Sequence, residues 1–136
     1  MPVQVASALS VDQFMTAAPH GIEPHEKLAV ARRRMEELKA RHLPVRAGGK
    51  VVGVISERDL FQLANLDVDF HVKMVGVFMT PDPYKVSAKT PVAEVAAEMA
   101  ERRIGSALVV DGEDRLLGIF TDTDALLAVA RLAKGS

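Results

Sequence analysis

The second half of this chain repeats the first, and the repeat limits what the sequence can fold into. Phe14-Met15-Thr16 recurs as Phe78-Met79-Thr80, a shift of 64 positions. Further matches at the same shift are Pro19 with Pro83, Ala29 with Ala93, Met35 with Met99, Glu37 with Glu101 and Val45 with Val109. A register held over most of the chain indicates two copies of one structural unit. A unit of roughly 60 residues buries little of its own surface, so we expect the copies to pack together into one core.

One extra residue in the second copy then moves the shift to 65 positions. Beyond that point Gly53-Val54-Ile55-Ser56-Glu57-Arg58-Asp59 aligns with Gly118-Ile119-Phe120-Thr121-Asp122-Thr123-Asp124. Both stretches have the pattern Gly-apolar-apolar-Ser/Thr-x-x-Asp. The apolar part predicts a buried strand, and Ser or Thr followed by Asp three residues later predicts the start of a helix.

Each copy is predicted to have the element order β-α-β-β-α. The predicted elements are short extended pieces near Gly21–Glu23 and Lys85–Ser87, helices over 28–41 and 92–103, hairpin strands over 43–46 with 51–56 and 107–111 with 116–121, and closing helices over 57–65 and 122–134. The first helix should bury Leu28, Ala31, Met35 and Leu38, which lie at helical spacing. Thr90 is predicted to cap the second copy's helix, because Pro91 suits the first helical position.

Composition excludes several classes of protein. The chain is 49% apolar and 26% charged, which is typical of a globular domain. Seventeen basic and eighteen acidic residues leave no surplus of positive charge, so nucleic acid is an unfavoured partner. The absence of cysteine excludes disulfides, thiolate metal sites and cysteine nucleophiles. No basic secretion signal precedes Lys27, and no apolar run approaches the roughly 20 residues of a membrane span, so we expect a soluble, cytoplasmic protein.

The ordered motifs resemble the CBS domain pair, also called a Bateman module. The resemblance covers nearly the whole chain and rests on the two Phe-Met-Thr segments, on Arg41-His42-Leu43-Pro44-Val45 before the first hairpin, and on the two Ser/Thr-x-x-Asp stretches. It implies an α/β (α+β) fold of two repeats packed with pseudo-two-fold symmetry. The corresponding division is a lead-in segment at 1–13, repeat 1 at 14–66, a connection at 67–77 and repeat 2 at 78–136.

The Ser/Thr-x-x-Asp element has two interpretations. At a helix start, an Asp carboxylate can accept hydrogen bonds from the two hydroxyls of a ribose, while free backbone N–H groups favour an anion. The same residues also form capping boxes that only stabilise the helix. The two roles are compatible, because a capped helix start also offers a sugar and anion site. Flat purines would then pack against aliphatic side chains, for which Ile22, Val86, Ile55 and Ile104 are candidates.

The resemblance further implies two ligand sites, each shared between the repeats. The favoured site consists of Ile22, Arg41, His42, Pro44, Thr121, Thr123 and Asp124. The second site consists of Ser56, Arg58, Asp59, Val86, Thr90, Ile104, Gly105 and Ser106. Arg41 and His42 give the favoured site a pair that can bind phosphate, whereas Gly105 and Ser106 supply no cation. The second site is therefore expected to be empty or to depend on Lys89, Arg58 or Arg103.

Other motifs carry less information. The four histidines match no metal-binding spacing, so no metal site is predicted. Arg32, Arg33 and Arg34 are interrupted by acidic neighbours, and Arg32 stands four residues before Glu36, which is typical of a solvated helix face. Neither a nucleophile elbow nor a phosphate-binding glycine loop is present, so no catalytic residues are predicted.

The resemblance as a whole implies a stand-alone regulatory protein and not an enzyme. It would bind AMP, ADP or ATP as a regulatory ligand, with S-adenosylmethionine and NAD as further candidates, and would need no cofactor. Ligand binding would change its conformation or assembly, which an effector protein would recognise. The apolar runs at 60–66 and 126–132 lead us to expect a homodimer. The alternatives are a ligand-free interaction or scaffold module, whose Asp residues only cap helices, and a small enzyme, which would lack any nucleophile–base pair.

Overall fold

The computed structural model describes residues 9–17 and 20–135, which form two compact units. The first, the central unit, spans His20–Pro83. The second, the terminal unit, takes its described residues from Met1–Pro19 and Tyr84–Ser136. Both units combine helices with a sheet, which confirms the predicted mixed α/β class.

The long helices and the hairpin strands follow the predicted order in both copies, and a further two-residue strand begins at the threonine of each Phe-Met-Thr motif. The strands are β1 (Thr16–Ala17), β2 (His42–Ala47), β3 (Lys50–Ser56), β4 (Thr80–Pro81), β5 (Lys85–Val86), β6 (Ser106–Val110) and β7 (Leu116–Thr121). The helices are α1 (Leu28–Leu38), α2 (Glu57–Asn65), α3 (Val75–Phe78), α4 (Val92–Arg102) and α5 (Asp122–Gly135). A 3₁₀ turn at Val11–Gln13 precedes β1.

The central unit contains a three-stranded antiparallel sheet with the order β2-β3-β4. Its predicted hairpin is confirmed, and the turn lies at Gly48 and Gly49, whose φ angles of 61° and 83° suit glycine. His42 pairs with Ser56 across this hairpin. Ile22 forms a parallel bridge to Val45, which gives the predicted extended piece its place beside β2.

The terminal unit contains a four-stranded sheet with the order β1-β7-β6-β5. The hairpin of β6 and β7 is antiparallel and pairs Ser106 with Thr121, as His42 pairs with Ser56 in the central unit. Strand β5 runs parallel to β6. In both repeats, therefore, the first residue of the hairpin pairs with the Ser or Thr that begins the Ser/Thr-x-x-Asp motif.

Both long helices of the repeats end earlier than predicted. Helix α1 ends at Leu38 and not at residue 41, because Lys39 takes a left-handed conformation with φ of 53°. Helix α4 ends at Arg102, where Arg103 does the same with φ of 56°. The side chain of Leu38, predicted to be buried, is 39% exposed because it lies at the last helical position.

The predicted N-cap at Thr90 is wrong. Helix α4 begins at Val92, and its N-cap position is Pro91. The hydroxyl of Thr90 instead accepts a hydrogen bond from the N–H of Ser87 at 3.2 Å and contacts the Ser87 hydroxyl at 3.0 Å. The N–H of Val92 donates to the carbonyl of Leu9 at 2.9 Å, so a backbone group from another segment satisfies the first turn.

Each compact unit contains a short segment that, along the chain, leads into the repeat of the other unit. The N–H groups of Val11 and Val75 donate to the carbonyls of Thr90 and Glu26, at 3.0 and 2.8 Å. Strands β1 and β4, which come after Val11 and Val75 along the chain, extend these contacts, since β1 pairs with β7 and β4 pairs with β3. We call residues 9–17 and 73–81 the exchanged segments. The Phe-Met-Thr motif of each repeat thus completes the sheet that holds the other repeat's hairpin.

A glycine in each hairpin makes room for the exchanged segment. A Cβ atom built on Gly118 would lie 2.5 Å from the sulfur of Met15 and 2.8 Å from the carbonyl oxygen of Thr16. A Cβ atom on Gly53 would meet the sulfur of Met79 at 2.6 Å and the carbonyl oxygen of Thr80 at 2.8 Å. The glycine of one motif and the methionine of the other are therefore in direct contact.

The described residues form two apolar cores, one in each unit, and not the single core expected from the size of a repeat. The central core contains Ile22, Leu28, Met35 and Ile55 together with Val75 from an exchanged segment. The terminal core is built in the same way, and the fully buried Val11 comes from its exchanged segment. The exchanged segments supply apolar surface that a lone repeat lacks. Within residues 9–17 and 20–135, no helix is both long and apolar enough to cross a membrane.

Candidate functional site

Helix α2 of the central unit begins with a complete capping box. The N–H of Asp59 donates to the hydroxyl oxygen of Ser56 at 3.1 Å, and Asp59 Oδ2 accepts from the N–H of Ser56 at 2.8 Å. The N–H of Glu57 donates to the carbonyl of Arg41 at 2.8 Å. These bonds hold the helix start against the residues that precede β2, so Arg41, His42, Ser56 and Asp59 lie together.

Helix α5 of the terminal unit begins with a related but different arrangement. Asp124 Oδ2 accepts from the N–H of Thr121 at 2.9 Å and from its hydroxyl at 3.2 Å. The Thr121 hydroxyl therefore acts as a donor to the carboxylate, whereas the Ser56 hydroxyl accepts from the helix. The N–H of Asp122 donates to the carbonyl of Gly105 at 3.1 Å. Gly105, Ser106, Thr121 and Asp124 thus form one local group.

Capping leaves part of each carboxylate available. The bonds described above use the Oδ2 atoms of Asp59 and Asp124, and both residues are partly exposed. Each Oδ1 atom can therefore accept a hydrogen bond from a ligand hydroxyl without disturbing the cap. The capping interpretation is confirmed for Ser56 and Asp59, and it does not exclude the ribose interpretation.

Asp124 has a perturbed electrostatic environment. Burial raises the pKa of its carboxyl, and the hydrogen bonds from the Thr121 N–H and hydroxyl only partly offset this. The neighbouring Asp122 carboxylate adds to the increase. A hydroxyl donor or a cation at Asp124 would stabilise the charged form of its carboxyl.

The two units differ in the charge beside the helix start. Arg41 is exposed in the central unit and His42 is half-buried, whereas the terminal unit has Gly105 and a buried Ser106 at these places. Lys89, a predicted cation of the second site, forms an ion pair with Asp12 at 2.8 Å. Its charge is already matched by an acidic residue of the exchanged segment.

The predicted site residues differ in how far their side chains are buried. Ile22, Pro44, Val86 and Ser106 are buried. Ile55, another of the aliphatic candidates for the purine, is fully buried within the central core, as Ile22 is. Those with exposed or partly exposed side chains are Arg41, His42, Ser56, Arg58, Asp59, Thr90, Ile104, Thr121, Thr123 and Asp124, and Gly105 is also partly exposed.

The residues of each predicted site belong to different compact units. The favoured site takes Ile22, Arg41, His42 and Pro44 from the central unit and Thr121, Thr123 and Asp124 from the terminal unit. The second site takes Ser56, Arg58 and Asp59 from the central unit, and its other members from the terminal unit. The structure brings together each group within its own unit, and the combination across units stays a prediction.

The arginines of α1 are more than a solvated face. The Arg32 guanidinium carbon lies 4.5 Å from the centre of the Phe70 ring. Arg34 forms an ion pair with Glu26 at 3.2 Å and donates to the carbonyl of Gly21 at 2.8 Å. Helical spacing could not identify these partners, because both lie outside the helix. In the described part of the chain, no three His, Asp or Glu side chains are grouped so that they could hold a metal ion.

The two repeats, their hairpins and the capped helix starts identify a family. The model of the CBS domain matches residues 11–65 and 72–131, so the chain belongs to the CBS domain family and carries two copies of the domain. This confirms the resemblance drawn from the sequence. The family is that of a regulatory module, and the chain is such a CBS pair.

A relative from Korarchaeum cryptofilum, inosine-5′-monophosphate dehydrogenase, is 31% identical over 123 residues. The match covers 90% of this chain but 25% of that enzyme. Two further curated relatives are matched over 14% and 45% of their lengths, so the chain spans less than half of each of these proteins.

Solved structures of CBS pairs match over nearly all of both chains. The structure of CBSX2 in complex with AMP has 29% identity and a TM-score of 0.80, with 91% of this chain and 98% of that chain covered. The CBS domain pair of protein MJ0100, in complex with 5′-methylthioadenosine and S-adenosyl-L-methionine, has 25% identity and a TM-score of 0.77. That match covers 94% of this chain and 98% of the other.

Proposed function

We propose that this CBS pair is a regulatory protein that binds an adenosine-containing ligand, with AMP, ADP or ATP favoured. The observation that carries the proposal is the half-buried Asp124 at the start of α5, whose Oδ1 atom is left available by the cap. Two vicinal ribose hydroxyls are a suitable donor pair for such a carboxylate. Support also comes from the AMP, 5′-methylthioadenosine and S-adenosyl-L-methionine bound by the two similar CBS pairs.

The favoured site in this proposal combines Thr121, Thr123 and Asp124 with Arg41 and His42 and with the buried Ile22 and Pro44. Arg41 is the exposed cation of this group and is assigned to the phosphate. The second site consists of Ser56, Arg58, Asp59, Val86, Thr90, Ile104, Gly105 and Ser106. It has Gly105 and Ser106 at the places of Arg41 and His42, and Lys89 is paired with Asp12, so its cationic support depends on Arg58 and Arg103. We therefore propose preferential occupancy of the Asp124 site by phosphorylated ligands.

A panel of melting temperatures tests the proposal. AMP, ADP, ATP, adenosine, S-adenosylmethionine and NAD are each added to the wild-type chain and to the variants Asp124→Ala, Asp59→Ala and Arg41→Ala. A ligand at 100 times its dissociation constant stabilises the folded state by about 2.7 kcal/mol. We expect an AMP-induced increase that is lost in Asp124→Ala and retained in Asp59→Ala. Arg41→Ala should weaken AMP and ATP far more than adenosine.

Two results would contradict parts of this proposal. If no ligand of the panel raises the melting temperature, the ribose-binding assignment is wrong, and the ligand-free interaction module becomes the better interpretation. If Arg41→Ala weakens adenosine and AMP equally, Arg41 does not bind the phosphate. Regulation is expected to act through a change of conformation or assembly that an effector protein recognises, without catalysis by the CBS pair itself.

We also propose that the chain forms a homodimer through its repeat-closing helices. Phe61 and Leu66 of the α2 region are 63% and 74% exposed, and Leu126 and Val129 of α5 are 70% and 61% exposed. Beside α2 lies a groove of about 430 Å³, lined by Arg32, Met35, Glu36, Glu57, Leu60, Phe61, Ala64 and Asn65. Exposed apolar faces of this kind are typical of interfaces.

Sedimentation velocity of the wild type and of Phe61→Asp and Leu126→Asp tests the dimer. We expect a dimer for the wild type and dissociation for at least one variant, because a buried unpaired charge destabilises an interface. Lys50→Asp, in the exposed part of the first hairpin, is the control and should remain a dimer. A monomeric wild type would contradict the proposal.

A further inference from the structure

Arg34 anchors the loop at residues 21–26, which lies beside β2, the strand that begins at His42. Its Nη1 atom donates to the carbonyl of Gly21 at 2.8 Å. Both of its terminal nitrogens also donate to the carboxylate of Glu26, at 3.2 Å each. Such a two-pronged contact fixes direction as well as distance. One side chain therefore holds both ends of the loop.

Glu26 extends this network to the middle of the loop. Its Oε2 atom accepts from the N–H of Glu23 at 2.8 Å. Burial raises the pKa of Glu26, but the bonds from Arg34 and from the Glu23 N–H outweigh it, and the pKa lies below its ordinary value. The side chains of Arg34 and Glu26 are 30% and 25% exposed, so the pair is partly shielded from water.

The anchored loop in turn fixes the register of β2. The N–H of Ile22 donates to the carbonyl of Pro44, and the N–H of Arg46 donates to the carbonyl of Ile22, both at 2.9 Å. A Cβ atom on Gly21 would lie 2.8 Å from the Pro44 carbonyl oxygen, so the two backbones are in close contact. Two members of the favoured site, Ile22 and Pro44, are thus held by the loop that Arg34 anchors.

The terminal unit holds its corresponding loop without an arginine. Thr90 occupies the place of Glu26 and accepts from the N–H of Ser87, as Glu26 accepts from Glu23. Glu98 occupies the place of Arg34, and it pairs with Arg102 on its own helix. The arginine anchor is therefore a feature of the central unit and distinguishes the two predicted sites.

We propose that Arg34 is a positioning residue of the favoured ligand site, a role that rests on the proposed function. It holds Ile22 and Pro44 in place before the ligand arrives, so the loop need not be ordered on binding. Ordering one side chain or loop contact on binding lowers affinity by roughly 3- to 10-fold. Loss of the anchor should therefore weaken AMP and adenosine by the same factor, because Arg34 supports the site and does not contact the phosphate.

Calorimetric titration of the full chain with AMP and with adenosine tests this role. We expect Arg34→Met to raise both dissociation constants about 3- to 10-fold. Arg33→Met, at an exposed position of the same helix, is the matched control and should bind like the wild type. Hydrogen exchange of the Ile22 amide in the unliganded protein should be faster in Arg34→Met than in Arg33→Met.

A double variant separates positioning from general destabilisation. Arg34→Met leaves the partly buried Glu26 unpaired, and adding Glu26→Gln removes that charge while keeping an acceptor for the Glu23 N–H. We expect Arg34→Met/Glu26→Gln to regain melting temperature but not affinity. Affinity that recovers with stability would overturn the proposal. So would wild-type affinity in Arg34→Met, with the proposed function intact if Asp124→Ala still abolishes binding. A wild type that binds neither probe overturns both.

Discussion

The contact between Gly118 and the exchanged segment gives a direct test of the fold. In Gly118→Ala the new methyl group would lie 2.5 Å from the Met15 sulfur and 2.8 Å from the Thr16 carbonyl oxygen. The sulfur ends a flexible side chain and can move, but the carbonyl belongs to β1, which pairs with β7. The strand must therefore shift, and overpacking of this kind costs about 1–3 kcal/mol.

The loss is measured by thermal unfolding, followed by circular dichroism at one protein concentration. At roughly 4 °C per kcal/mol, the melting temperature of Gly118→Ala should fall by about 4–12 °C. Gly53→Ala should behave alike, because its methyl group would meet the Met79 sulfur at 2.6 Å and the Thr80 carbonyl oxygen at 2.8 Å. Gly112→Ala is the matched control, since a Cβ atom there meets nothing within 4 Å.

The outcome depends on the difference between these variants. Gly112→Ala should change stability by less than about 0.5 kcal/mol, as surface substitutions do. If Gly118→Ala and Gly53→Ala have the same melting temperature as Gly112→Ala, the exchanged segments do not pack on the hairpins as described.

Three further predictions concern single residues. Ser56→Ala removes one half of the capping box with Asp59 and should lower the free energy of unfolding by about 1 kcal/mol in a denaturant titration. Gly49→Ala should also be destabilising by about 1 kcal/mol despite open space around it, because φ there is 83°, and an unchanged denaturation midpoint would contradict this. Burial and the Asp122 carboxylate raise the pKa of Asp124, so folding favours the neutral form of its carboxyl. The neutral carboxyl therefore contributes its full stabilisation of the fold below the ordinary pKa of Asp, and this contribution is lost as pH rises through the folded-state pKa. Asp124→Asn, which is always neutral, should therefore melt above the wild type at pH 7 and level with it near pH 3, and a difference that grows toward low pH would contradict this.

Local patterns predicted most of the elements. The repeat predicted both hairpins, and the structure places the turn of the first at Gly48 and Gly49. Ser56 and Asp59 were recognised as a capping box because that motif depends only on residues three apart. The early ends of α1 and α4 could not be predicted, because Lys39 and Arg103 take a left-handed conformation that sequence usually signals with glycine or asparagine.

The contacts between distant segments were beyond such patterns. No periodicity indicates that Thr16 pairs with Ile119, a partner in the other repeat. The signal was present in Gly53 and Gly118, glycines inside strands that serve no turn and so mark a close approach of another backbone. The cap at Thr90 was wrong for the same reason, because the carbonyl of Leu9 reaches the helix start from an exchanged segment.

The candidate site, like the fold, was predictable where it depends on local motifs and not where it depends on contacts between distant residues. The sequence identified both Asp residues at helix starts and the charge difference between Arg41-His42 and Gly105-Ser106, since each follows from residue type and motif position. It did not identify the anchor formed by Arg34, whose partners Gly21 and Glu26 lie outside the helix that carries it.

The central claim, an adenosine ligand held by Asp124, is tested most directly by the stoichiometry of AMP binding. Calorimetric titration of AMP into the wild type should give one site per chain. Asp59→Ala should keep that site, and Asp124→Ala should lose it. Binding that survives Asp124→Ala but disappears in Asp59→Ala would contradict the assignment, and so would a wild type that binds no AMP.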